Sequence, residues 1–76
     1  MIPKLKAYPY EAGFEIAGNR EGLRELARVC LALAALPEDV EESQRLGNHY
    51  HFDRALTHGL VDEGSTPFII LYRPNL

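Results

Sequence analysis

Three residues able to bind a metal or transfer a proton occupy alternate positions, His49, His51 and Asp53. Aromatic residues separate them, and this alternation predicts a strand with both imidazoles on one face. His58 could add a further imidazole, so a metal site at His49, His51 and His58 is one interpretation. The other is a polar strand face that meets solvent or a protein, since no cysteine or glutamate motif completes a ligand set. We adopt the second interpretation and predict no bound cofactor.

Two other residues could act as nucleophiles, Cys30 and Ser65. Cys30 falls in the apolar stripe of a predicted helix, where a thiol behaves as a small hydrophobic group. Ser65 lacks the flanking glycines of a nucleophile elbow, and a turn before the last strand explains it better. The glycine spacing around Gly18 and Gly22 matches neither nucleotide-binding signature. The sequence therefore predicts a protein that is not an enzyme.

An acidic segment precedes the histidines. Such charge runs are most often solvated surface. They can also raise the rate at which a basic protein partner associates. We predict a protein-binding surface that combines this segment with the histidine strand, formed by Glu38, Asp39, Glu41, Glu42, His49, His51 and Asp53.

Composition limits the classes of function. The 76 residues allow one domain, and their formal charge of −3 with scattered basic residues argues against nucleic-acid binding. The longest apolar stretch, Val29 to Leu36, is far short of the roughly 20 residues that cross a bilayer. No signal-peptide pattern is visible, so a cytoplasmic location is expected. Small domains often gain stability by pairing, which makes a structural or regulatory homodimer the alternative to a partner-binding module.

Few elements are available to position these residues. Alternation predicts short strands around Leu5 and around Phe14, and again at 49–53 and 68–72. The last strand is apolar on both faces, which indicates a central strand or one whose outer face meets a partner. Residues 38–47 are predicted as a solvated loop that can include a short helical turn. Between Arg20 and Leu36 the period is helical, and the predicted buried face holds Leu23, Leu26, Ala27, Cys30, Leu33 and Ala34.

These elements predict an α+β domain spanning residues 1–76, in the order β-β-α-β-β. The simplest packing lays the one long helix on one face of a mostly antiparallel sheet of about four strands.

Three segments of the chain form a familiar combination. The first strand pair ends in Gly18-Asn19-Arg20-Glu21-Gly22-Leu23, a later strand reads His49-Tyr50-His51-Phe52-Asp53, and the closing segment is Glu63-Gly64-Ser65 followed by Phe68-Ile69-Ile70. Over about residues 14–73 the chain resembles immunity protein family 32 of bacterial polymorphic toxin systems, although Phe52 stands where that family tends to have an aliphatic residue. The resemblance implies a non-catalytic inhibitor, encoded beside a toxin, that binds and neutralises it.

Overall fold

The computed structural model describes residues 2–57 and 59–76 and confirms the α+β class. The elements are β1 (Leu5–Tyr10), β2 (Gly13–Gly18), α1 (Arg20–Ala34), α2 (Val40–Arg45), β3 (His49–Phe52) and β4 (Phe68–Leu71). Strand β1 pairs antiparallel with β2, and β3 pairs antiparallel with β4. The four strands therefore form two hairpins where one sheet was predicted, and a second short helix forms within the predicted loop.

The edge of β1 explains why the sheet divides. The C=O of Leu5 accepts a hydrogen bond from Asp62 N at 2.7 Å, and the C=O of Ala7 accepts one from Thr66 N at 2.7 Å. The next residue of β1 with the same orientation is Pro9, which has no N–H to offer. The segment between β3 and β4 forms one parallel bridge with β1, between Leu5 and Val61, and its last hydrogen bonds to β1 are those at Ala7.

The core lies where the two hairpins meet α1. Phe52 is completely buried, and its ring stacks on that of Phe68 with the centroids 4.8 Å apart. Burying and stacking large rings contributes more than an aliphatic side chain at the same place. Phe52 is thus a central residue of the core. The buried cluster consists of Leu5, Val29, Leu33, Phe52 and Val61.

The buried face of α1 is rotated relative to the predicted one. Val29 and Leu33 are buried, and Gly22 is buried at the start of the helix. The helical period is as predicted, but the apolar arc is wider than the body of the protein can cover. The prediction of a buried thiol was therefore wrong. The exposed members of the predicted face are Leu23, Ala27, Cys30 and Ala34.

The first turn of α1 contacts the segment before β1 closely. Asn19 caps the helix, and its Oδ1 accepts hydrogen bonds from Gly22 N at 2.8 Å and from Lys4 N at 3.0 Å. Its Nδ2 donates to the C=O of Ile2 at 2.8 Å. A Cβ atom added to Gly22 would lie 2.0 Å from the carbonyl oxygen of Lys4. Only glycine permits this approach, and the approach fixes the side of α1 that faces the core.

We expect Gly22→Ala to lower the free energy of unfolding by about 2–4 kcal/mol, despite the higher helix propensity of alanine, because backbone must move to admit the methyl group. Gly13→Ala is the matched control, since its added Cβ would lie 3.6 Å from Tyr10 O, an ordinary contact. It should change the free energy of unfolding by less than about 1 kcal/mol. Denaturant unfolding followed by circular dichroism measures both, and equal losses in the two variants would contradict the proposed role of Gly22.

Candidate partner-binding surface

Hairpin β3–β4 has a buried and an exposed face. Phe52 packs into the core, while His49 and His51 are exposed, as the alternation of the strand predicts. The antiparallel register places His49 opposite Leu71 and His51 opposite Ile69. Leu71 is 43% exposed and Ile69 is 54% exposed. These four residues form one outward surface, which we call the histidine face.

The two imidazoles of the histidine face contact each other. Their centroids are 5.0 Å apart and the rings meet edge to face, at an interplanar angle of 83°. His49 Nδ1 lies 3.1 Å from Asn48 Oδ1, within hydrogen-bond distance. His58, the third imidazole of the alternative metal site, lies outside the described residues. Within residues 2–57 and 59–76, no three His, Cys, Asp or Glu side chains are grouped so that they could hold a metal ion.

Asp53 does not extend the histidine face but begins a turn. It follows the last residue of β3, and its Oδ1 accepts a hydrogen bond from Ala55 N at 2.8 Å. Its C=O accepts two more from Thr57, from the backbone N at 2.7 Å and from Oγ1 at 2.8 Å. The local turn therefore accounts for an aspartate at this position.

The acidic segment folds as the helix α2, and two of its four carboxylates stabilise that helix. The Asp39 carboxylate caps it by accepting a hydrogen bond from Glu42 N at 2.8 Å. The Glu42 carboxylate in turn accepts hydrogen bonds from Arg45, which raises the pKa of the guanidinium. Glu38 and Glu41 are exposed, and no ion pair within the described part of the chain involves them. These two carboxylates remain available to a partner.

Helix α2 and the last residue of β4 line a common groove. Ser43 is fully buried there, and its Oγ donates to the C=O of Val40 at 2.9 Å. A groove of about 340 Å³ runs beside the helix, lined by Val40 and Gln44 on one side and by Leu71 on the other. Because Leu71 belongs to the histidine face, the groove joins that face to the acidic helix. Asp53 lies beyond the opposite end of the hairpin.

A charged pair on α1 flanks the histidine face. Arg28 Nη2 lies 2.5 Å from Glu25 Oε1, and this hydrogen bond lowers the pKa of the Glu25 carboxyl and raises that of the guanidinium. Arg28 and His49 line one cavity of about 260 Å³. The predicted set of contact residues included neither Arg28 nor the aliphatic pair Ile69 and Leu71. The sequence did contain a signal for Ile69 and Leu71, because the last strand is apolar on both faces.

A family model described as immunity protein 32 matches residues 14–74 of the chain. The chain belongs to the immunity protein 32 family. No curated protein and no solved structure matches it significantly. In the portion of this immunity protein that the structure describes, none of the helices has the length and apolar character needed to cross a membrane.

Two of the three segments that carry the family resemblance serve the fold of this immunity protein. The first, around Asn19 and Gly22, fixes the start of α1. In the last, Ser65 Oγ accepts a hydrogen bond from Ala7 N at 2.7 Å and so attaches the second half of the chain to β1. In the middle segment, His49 and His51 point away from the core at alternate positions, opposite the exposed Leu71 and Ile69 of β4. The histidine face is therefore the candidate site of partner contact.

We expect Ser65→Ala to lower the free energy of unfolding by about 1–3 kcal/mol, because it leaves the N–H of the buried Ala7 without its acceptor. The double variant His49→Ala/His51→Ala should change it by less than about 1 kcal/mol, because both side chains are exposed. Thermal and denaturant unfolding measure these differences. Ser65→Thr retains a hydroxyl and should restore part of the loss. A larger loss in the histidine variant than in Ser65→Ala would show that the histidines serve the fold.

Proposed function

We propose that this protein is a non-catalytic inhibitor that binds a bacterial toxin and neutralises it. The observation that carries the proposal is membership of the immunity protein 32 family over residues 14–74. The exposed histidine face supports it, because this surface combines rings and aliphatic side chains that the fold does not bury. Inhibition of this kind requires no bond to be made or broken, only that the bound protein cover the surface with which the toxin acts.

The proposed contact surface joins the histidine face to the exposed carboxylates of Glu41, in α2, and of Glu38, just before it. Ile69 and Leu71 supply the apolar centre, and His49 and His51 flank it with groups able to donate or accept hydrogen bonds. An interface with an apolar centre and a polar rim is typical of specific protein complexes. Asp53 is left out of this surface because its carboxylate is engaged in the turn after β3.

The charge of the chain favours a basic toxin surface. The formal net charge is −3, and Glu38 and Glu41 lie exposed at the edge of the proposed contact. Rim charges of this kind raise the association rate more than they change the final affinity. The principal dimensions of 35 × 31 × 21 Å give the molecule broad faces that can supply the roughly 800 Å² per partner of a standard interface.

We expect His49→Ala/His51→Ala to weaken toxin binding at least about tenfold, or about 1.4 kcal/mol, because the variant removes the two rings that flank the apolar centre of the contact. Calorimetry with the toxin domain encoded beside the gene measures the affinity. The control is Lys6→Ala/Tyr10→Ala, which removes exposed side chains from the other hairpin. The proposed function fails if wild-type protein forms no stoichiometric complex with that toxin. The proposed surface fails if the control weakens binding as much as the histidine variant.

The two free carboxylates should control the rate of association. Glu38→Gln/Glu41→Gln is expected to slow association by about 3- to 10-fold at low ionic strength and to reduce its dependence on salt, with a smaller effect on dissociation. Glu11→Gln/Glu63→Gln removes the same charge from exposed positions elsewhere and is the matched control. Stopped-flow measurements over a range of salt concentrations separate the two variants. Identical rates for both would mean that α2 does not face the toxin.

A further inference from the structure

The outer edge of β4 carries backbone groups that the hairpin does not use. Tyr72 N donates to Asn48 O at 2.8 Å, which fixes the alternation of hydrogen-bonded pairs along β3–β4. By that alternation the N–H and C=O groups of Ile69 and Leu71 point away from β3. No other backbone group in residues 2–57 and 59–76 forms a hydrogen bond with them. An extended strand is the partner that such an edge accepts.

The molecule also exposes more surface than a compact monomer of its length. Its accessible area is 5525 Å², whereas a folded monomer of this size exposes about 4,700 Å². Its radius of gyration is 13.4 Å, against about 11.4 Å expected for this length. The excess area of roughly 800 Å² equals the share that one partner contributes to a standard protein interface.

We propose that β4 pairs antiparallel with β4 of a second copy of this chain, about a two-fold axis at Ile70. This register sets Ile69 opposite Leu71 of the other copy and forms four N–H···O=C bonds between the outward groups of the two edges. The two hairpins then become one four-stranded sheet in the order β3-β4-β4-β3. The proposal does not rest on toxin binding, and His49 and His51 of both copies remain exposed on the outer strands of the joined sheet.

The composition of β4 favours a second copy of this chain as the strand that pairs with its outer edge. The four-residue strand Phe68–Leu71 lacks a charged residue, a proline and a bulge, three of the features that can protect an exposed edge. Pairing with itself sets no like charges opposite each other, because the register places Arg73 opposite Pro67. A two-fold axis lets the two identical edges form the same set of hydrogen bonds, so that the outward N–H and C=O groups of both copies are paired. It also brings Ile69 and Leu71 of the two copies together, so that these exposed aliphatic side chains cover one another.

Sedimentation equilibrium of the full chain between about 1 µM and 1 mM tests the proposal, with a dimer as the expected result. Ile69→Lys should raise the dimer dissociation constant at least about tenfold, because a charge would be placed against the apolar Leu71 of the other copy. Ala17→Lys places the same charge at an exposed strand position of the other hairpin and should leave the dimer intact. Circular dichroism confirms that each variant is folded.

Hydrogen exchange in the wild-type protein provides a measurement that does not depend on a variant. The amides of Ile69 and Leu71 should become more protected as concentration rises, whereas the amide of Ile70, bonded to β3, should be protected at every concentration. A monomer at 1 mM would overturn the proposal, and so would a dimer in which the Ile69 and Leu71 amides exchange freely. Protection of these amides only after toxin is added would also overturn it, since the edge would then bind a toxin strand.

Discussion

The contact between the first turn of α1 and the segment before β1 governs the arrangement of the whole molecule. The backbone of Gly22 meets that of Lys4 so closely that no side chain fits between them, and the Asn19 side chain binds both segments. This contact selects the arc of α1 that faces the core. Val29 and Leu33 are buried as a result, and Cys30 and Leu31 are directed outward.

A second set of polar contacts compensates for the small core. Five buried hydrophobic side chains form the main cluster, which is a thin core even for a chain of 76 residues. The halves of the chain are joined mainly through the edge of β1, where Ser65 and Thr66 bind both backbone groups of Ala7. Because backbone and hydroxyl groups make this junction, it constrains position more strictly than apolar packing alone would.

Because of these junctions, different residues fix the fold and form the exposed surface. The residues that fix the fold are small or polar and lie at the ends of elements, so the faces of the elements remain free for other contacts. The outer side of β3–β4 carries rings and aliphatic side chains, while its edge carries unpaired backbone groups. A face and an edge of one hairpin can serve different partners, because one acts through side chains and the other through the backbone.

The sequence by itself determined the features that depend on local periodicity and on single breaking residues. Alternation places His49 and His51 on one side of β3 because successive side chains of a strand point to opposite faces. Asn19 begins α1 and Pro37 prevents its continuation, since one caps the backbone and the other lacks an N–H. Asp39, three residues before Glu42, is also a local signal for the start of α2. The α+β class follows from the order of these elements.

Only the tertiary structure decided the features that depend on residues far apart in the chain. The apolar arc of α1 is wide enough to be buried in more than one orientation, and the distant Lys4 selects between them. The division into two hairpins depends on how Leu5 and Ala7 of β1 meet a segment more than 50 residues later, which no local pattern encodes. The groove that joins α2 to the histidine face is lined by residues of α2 and by Leu71 of β4, which lie far apart in the chain. Contacts of this kind arise from the packing of whole elements, so local sequence could predict the residues of the surface but not which of them lie together.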